Sequence, residues 1–106
     1  MSKYIYTRKD LEVLKSLIDA NLGYRYFGVN SKGKKIIKTI RPTKGAFELL
    51  KSFHKDFGLD IKGIYDYDYL LKCRNDLINE LNIKDNFEII EKDYFISMIN
   101  KFKKRK

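Results

Sequence analysis

Apolar residues along this chain fall into blocks with two different periods. Leu11, Leu14, Leu17, Ile18 and Leu22 recur at steps of three and four, the stripe of an amphipathic helix. Thr7 stands before the stripe as an N-cap with Asp10 three residues on, and Asn21 and Gly23 close it, predicting a helix over 8–22. Two β-leaning runs follow over 24–29 and 34–41, rich in aromatic and β-branched residues. The Asn30-Ser31-Lys32-Gly33 between them reads as a hairpin loop. Pro42 ends the second run, since it cannot donate to a ladder. Thr43 then caps a helix over 44–57 whose buried side carries Phe47, Leu50 and Phe53.

Gly58 punctuates that helix, and residues 59–64 read as a connection or a short strand. Asp66 caps a third helix over 67–81, with Leu70, Cys73, Leu77 and Leu81 on one side. Residues 87–90 are short and apolar enough to add a third strand, and Asp93 opens a last helix through Phe95, Met98, Ile99 and Phe102. Residues 3–6, KYIY, fit either a short strand or an anchored arm. The predicted class is α+β. A small antiparallel sheet, built from the hairpin 24–41 and a third strand at 87–90, packs against about four helices in the order α-β-β-α-α-β-α.

Register decides what the hairpin shows to solvent. A four-residue loop sets Val29 beside Lys34, Phe27 beside Ile36 and Arg25 beside Lys38. Phe27, Val29, Ile36 and Ile40 then face the helices, while Tyr24, Tyr26, Lys35, Ile37, Thr39 and Arg41 line the wet face. A slip of one residue would exchange the two faces.

Length and composition bound the rest. A chain of 106 residues is read as one compact domain, 1–106, with a short basic tail at 103–106. Its 43% hydrophobic and 14% aromatic residues are enough for a packed core, which separates it from a disordered tail. One cysteine, Cys73, cannot form an internal disulfide, and no apolar run is long enough to cross a membrane. The opening MSKYIYTRKD lacks the apolar core of a signal peptide, so a cytoplasmic setting is expected. Heavy use of Lys, Ile, Asn, Tyr and Asp points to an AT-rich genome such as that of a low-GC bacterium, its phage or a plasmid.

Charge is distributed unevenly. The formal net charge is +9, yet residues 48–100 hold 7 basic and 11 acidic residues. The stretch 20–47 contains no Asp or Glu and carries Arg25, Lys32, Lys34, Lys35, Lys38, Arg41 and Lys44, with Tyr24, Tyr26 and Phe27 interleaved. Lysine and arginine neutralise phosphates, and exposed rings stack on unpaired bases. A two-stranded ribbon also fits a major groove. The expected function is therefore non-enzymatic binding of nucleic acid (DNA or RNA) or a nucleoprotein, by an accessory protein of phage or plasmid type. The same lysines would also blunt edge-to-edge aggregation of a bare hairpin.

A second class of function is a protein-binding module or inhibitor directed at a larger host protein, with Tyr65, Tyr67 and Tyr69 as anchors, since tyrosine is enriched at interfaces. Asp66 and Asp68 on a first helical turn read as capping carboxylates before they read as metal ligands. Asp56, Asp60 and Lys62 superficially resemble a metal-dependent nuclease triplet, but Asp-x-Lys arises easily in a chain that is 35% charged. His54 has no nucleophile at a telling spacing and reads as a surface residue, and one His with one Cys cannot build a zinc site. No catalytic residue, metal or cofactor is expected, and no membrane partner.

Overall fold

The computed structural model describes residues 6–85 and 87–103; the KYIY arm and the end of the basic tail therefore fall mostly outside the described residues. Among those residues the order is α1 (Arg8–Leu22), β1 (Tyr24–Val29), β2 (Lys35–Ile40), α2 (Lys44–Asp56), a short 3-10 helix (Ile61–Tyr65), α3 (Tyr67–Leu81), β3 (Glu88–Ile89) and α4 (Lys92–Lys103). The strands form one antiparallel sheet in the order β2-β1-β3. This is the α+β arrangement expected from the apolar pattern, in the expected order.

Local signals set the helix ends. Thr7 and Asp10 form a reciprocal capping box, with Asp10 N–H donating to Thr7 Oγ1 at 3.1 Å and Thr7 N–H to Asp10 Oδ2 at 3.0 Å. Thr43 Oγ1 accepts from Ala46 N–H at 3.1 Å, and Asp66 Oδ1 accepts from Asp68 N–H at 3.0 Å. Gly23 ends α1 at φ +82°, where a Cβ would stand 2.9 Å from Ile90 Cδ1 and 3.0 Å from Pro42 Cδ. Residues 61–65, expected as a connection or strand, coil into a 3-10 turn because Asp60 Oδ1 accepts Lys62 N–H at 3.0 Å.

The core lies among the helices. Leu14, Ile18 and Leu22 of α1 meet Phe47 and Leu50 of α2, Ile64 of the 3-10 helix, Leu70 and Leu77 of α3, and Phe95 and Ile99 of α4. Each fully buried leucine or phenylalanine here contributes about 1.5–3 kcal/mol. An ion cluster is buried with them. Arg74 is 1% exposed and bonds Asp19 through Nε; its other nitrogens grip Asp85 at 3.1 and 2.6 Å. Lys15 also donates to Asp19, at 2.6 Å. Burial works against the guanidinium's charge, but the bonds to Asp85 and Asp19 outweigh it and raise its pKa. The cluster ties the connection after α3 to α1, and so positions Phe87 and β3.

The hairpin's register differs by one residue from the expected pairing. Phe27 pairs with Ile37, Tyr26 with Lys38 and Arg25 with Thr39. The cause is the turn. Gly33 adopts φ +79° and donates to Asn30 O at 2.9 Å, while Asn30 N–H donates to Lys34 O at 3.0 Å. Asn30 and Lys34 thus pair, three residues form the loop, and Gly33 takes the left-handed position such loops require. Asn30 Oδ1 fixes the turn further by accepting from Lys32 and Lys34 N–H, both at 2.9 Å.

Candidate nucleic-acid interface

Paired residues on antiparallel strands share a face. One face of the hairpin therefore carries Arg25, Phe27, Val29, Lys35, Ile37 and Thr39, and the other Tyr24, Tyr26, Gly28, Ile36, Lys38 and Ile40. The expected assignment is corrected here for Tyr24, Tyr26, Phe27 and Val29. Tyr24 stacks on Phe87 with centroids 4.2 Å apart, and Tyr26 leans on the same ring at 5.8 Å. Phe87 in turn lies under Lys15 Nζ, 4.9 Å from its centroid. Both tyrosines are half-buried against the base of the hairpin, where burial, with Asp19 and Tyr26 nearby, raises the Tyr24 pKa.

The ring left open to solvent is Phe27, 72% exposed, between Val29 at 66% and its cross-strand partner Ile37 at 62%. No residue from 24 to 41 is buried. The radius of gyration is 14.8 Å, against about 13 Å for a compact chain of this length. The hairpin is thus an arm standing off the helical body.

Cations surround that arm. Lys32 and Lys34 sit at the turn, Lys35 lies beside the Phe27 face, and Lys38 extends from the opposite face beside Tyr26. Arg41 and Arg25 line a cleft of about 160 Å³ at the base, with Thr39, Glu91 and Tyr94. Lys44 opens α2, whose first turn has no acidic residue, so it adds to the positive end of the helix dipole. The charge is gathered on one arm, though on both of its faces rather than on a common outward surface.

Five cations of the body are paired. Arg8, Lys15, Lys72, Arg74 and Lys92 each lie within ion-pair distance of a carboxylate. On the arm only Arg25 has such neighbours, Glu88 at 3.9 Å and Glu91 at 4.0 Å. Lys32, Lys34, Lys35, Lys38, Arg41 and Lys44 have no ion-pair partner among the described residues, and all six are exposed. The body intersperses its cations with carboxylates, whereas residues 24–44 contain none.

The remaining sequence candidates are placed elsewhere. Tyr65 packs on Phe47 at 5.2 Å, Tyr67 donates its hydroxyl to Ile90 O at 2.9 Å, and Tyr69 lies against Gly63. All three are half-buried and committed to internal contacts. Asp68 pairs with Lys92 at 2.9 Å, while Asp66 and Asp60 serve as caps. Among the described residues no group of three or more His, Cys, Asp and Glu could hold a metal ion. His54, expected at the surface, is 1% exposed. The position four residues after the buried Leu50 was the signal for it, as the position between Leu70 and Leu77 was for Arg74. No protein-family model, curated protein or solved structure matches the chain.

Proposed function

We propose that this protein is a non-enzymatic nucleic-acid-binding protein whose hairpin arm is the contact surface. The observation that carries the reading is that residues 24–44 hold seven cations and no carboxylate, and that six of those cations are exposed with no ion-pair partner among the described residues. A polyanion is the partner that such a surface gains most from, because each neutralised phosphate releases condensed counterions. Lys32, Lys34, Lys35 and Lys38 serve as backbone contacts, which position the protein without reading sequence. Arg41 and Lys44 extend the track toward α2. Phe27, rather than Tyr24 or Tyr26, is the ring available to stack on an unpaired base. The reading places the protein in the cytoplasm, as an accessory factor of phage or plasmid type.

A second reading rests on Phe27, Val29 and Ile37, three exposed apolar side chains rimmed by Arg25 and Lys35. Such patches mark protein interfaces, so the alternative is a module that docks this face on a larger host protein, as an inhibitor would. One experiment separates the two. Fluorescence anisotropy is measured with a labelled duplex, a DNA single strand and an RNA single strand at about 50 mM salt. Binding to any of them that is lost in Lys32→Gln/Lys34→Gln/Lys35→Gln supports the first reading. No binding to all three ends it, and a stoichiometric protein partner captured after nuclease treatment then supports the second.

A further inference from the structure

A cavity of about 220 Å³ opens between α1, α2 and α3, away from the hairpin arm. Leu14, Ile18, Leu59 and Leu77 give it apolar walls. An apolar cavity of about 150 Å³ is known to stay dry and to admit benzene, so this one has room for a single small ring.

Its polar groups are not equivalent. Burial, and after it the neighbouring Cys73 thiol, push the Tyr69 pKa up to about 12. Gly63 leaves the space for that ring, since a Cβ there would come within 2.5 Å of it. Asp76, at the rim, is engaged by Lys72 at 3.2 Å, which leaves little attraction for a cationic ligand.

His54 is different. It is 1% exposed and lines the cavity, and its Nδ1–H donates to Leu50 O at 3.1 Å. That bond fixes the tautomer, so Nε2 carries a lone pair. Desolvation lowers the ring's pKa and keeps it neutral. Nε2 bonds to no described residue.

We propose that this cavity binds a small, neutral, largely apolar molecule carrying one hydrogen-bond donor, of the size and kind of a phenol, with His54 Nε2 as the acceptor. The walls supply most of the affinity and the imidazole supplies orientation. A site built to bond a donor discriminates against the isostere that lacks it, because its own polar atom is then left unpaired.

Phenol and toluene test this as a matched pair, followed by amide chemical shifts of Cys73 and Leu77 on the whole chain. Phenol is expected to give saturable shifts and to bind about tenfold more tightly than toluene. His54→Phe should erase that difference while toluene still binds, and Cys73→Met, which fills the cavity, should weaken both probes about tenfold. Should His54→Phe fail to fold, the wild-type preference for phenol and the Cys73→Met response decide. Absence of saturable shifts, equal affinity for the two probes in the wild type, or unchanged binding in Cys73→Met would overturn the proposal.

Discussion

Arg74→Met is the most informative single change in the body, because the buried ion cluster holds the base of the arm. Arg74 is 1% exposed, as Asp19 is at 2%, whereas the Asp85 side chain is 42% exposed. Methionine roughly fills the space and removes three hydrogen bonds, one to Asp19 and two to Asp85. Stripping a buried carboxylate of its partner costs about 3–5 kcal/mol. Here Asp19 keeps Lys15 at 2.6 Å, and Asp85 can rehydrate. The loss should therefore sit at the low end, about 3 kcal/mol. That is a large share of the roughly 5–15 kcal/mol of a whole domain.

Urea unfolding reads this directly. With a slope of about 1.5 kcal/mol per M, the midpoint should fall by about 2 M at unchanged slope. Asp85→Asn should cost less, about 1 kcal/mol, because its carboxylate faces solvent. Hydrogen exchange at Arg25 and Ile89 should also accelerate in Arg74→Met, since Asp85 positions Phe87 through a bond from its N–H at 3.3 Å. An Arg74→Met protein as stable as the parent, or an Asp85→Asn protein as damaged as Arg74→Met, would refute this account of the cluster.

Further outcomes follow from the same contacts. The bond from Arg74 holds the Asp85 carboxyl below the usual carboxylate range, so its stabilising effect is present above about pH 3.9 and is lost as pH falls through its folded pKa. Carboxyl NMR showing Asp85 titrating at or above the ordinary value would contradict that. Desolvated His54 is also depressed, so the unfolded chain takes up its proton first and stability should begin to fall below about pH 6.5; the fall should be absent in His54→Phe. Gly63→Ala should cost about 1–3 kcal/mol in thermal unfolding, because the added methyl meets the Tyr69 ring at 2.5 Å. A neutral Gly63→Ala would mean that the ring moves aside freely.

The parts of this fold that were readable in sequence are those whose cause is local. Thr7, Thr43 and Asp66 cap the backbone within three residues of themselves, and the helix stripes repeat on their own period. The hairpin's existence is local too. Its register is not, because one backbone angle at Gly33 decides whether three or four residues make the loop, and that choice turns Phe27 outward and Tyr26 toward Phe87. The acid-free charge block was plain in the sequence, but whether its cations would find carboxylates was a tertiary question. Arg74 and His54 interrupt apolar stripes, which flags them; His54 bonds Leu50 O on the preceding turn of its own helix, whereas Asp19, 55 residues from Arg74, becomes its partner only when the helices pack.

Salt dependence of binding tests the central claim most directly. Anisotropy titrations of the best-bound nucleic acid are run from about 50 to 200 mM salt on the parent protein and on Lys34→Gln/Lys35→Gln. The parent's log affinity should fall linearly against log salt, and each removed lysine should flatten that slope by about 0.9 on a duplex or about 0.7 on a single strand. A slope that stays the same without these two lysines, or an affinity indifferent to salt, would contradict the arm as a polyanion-binding surface.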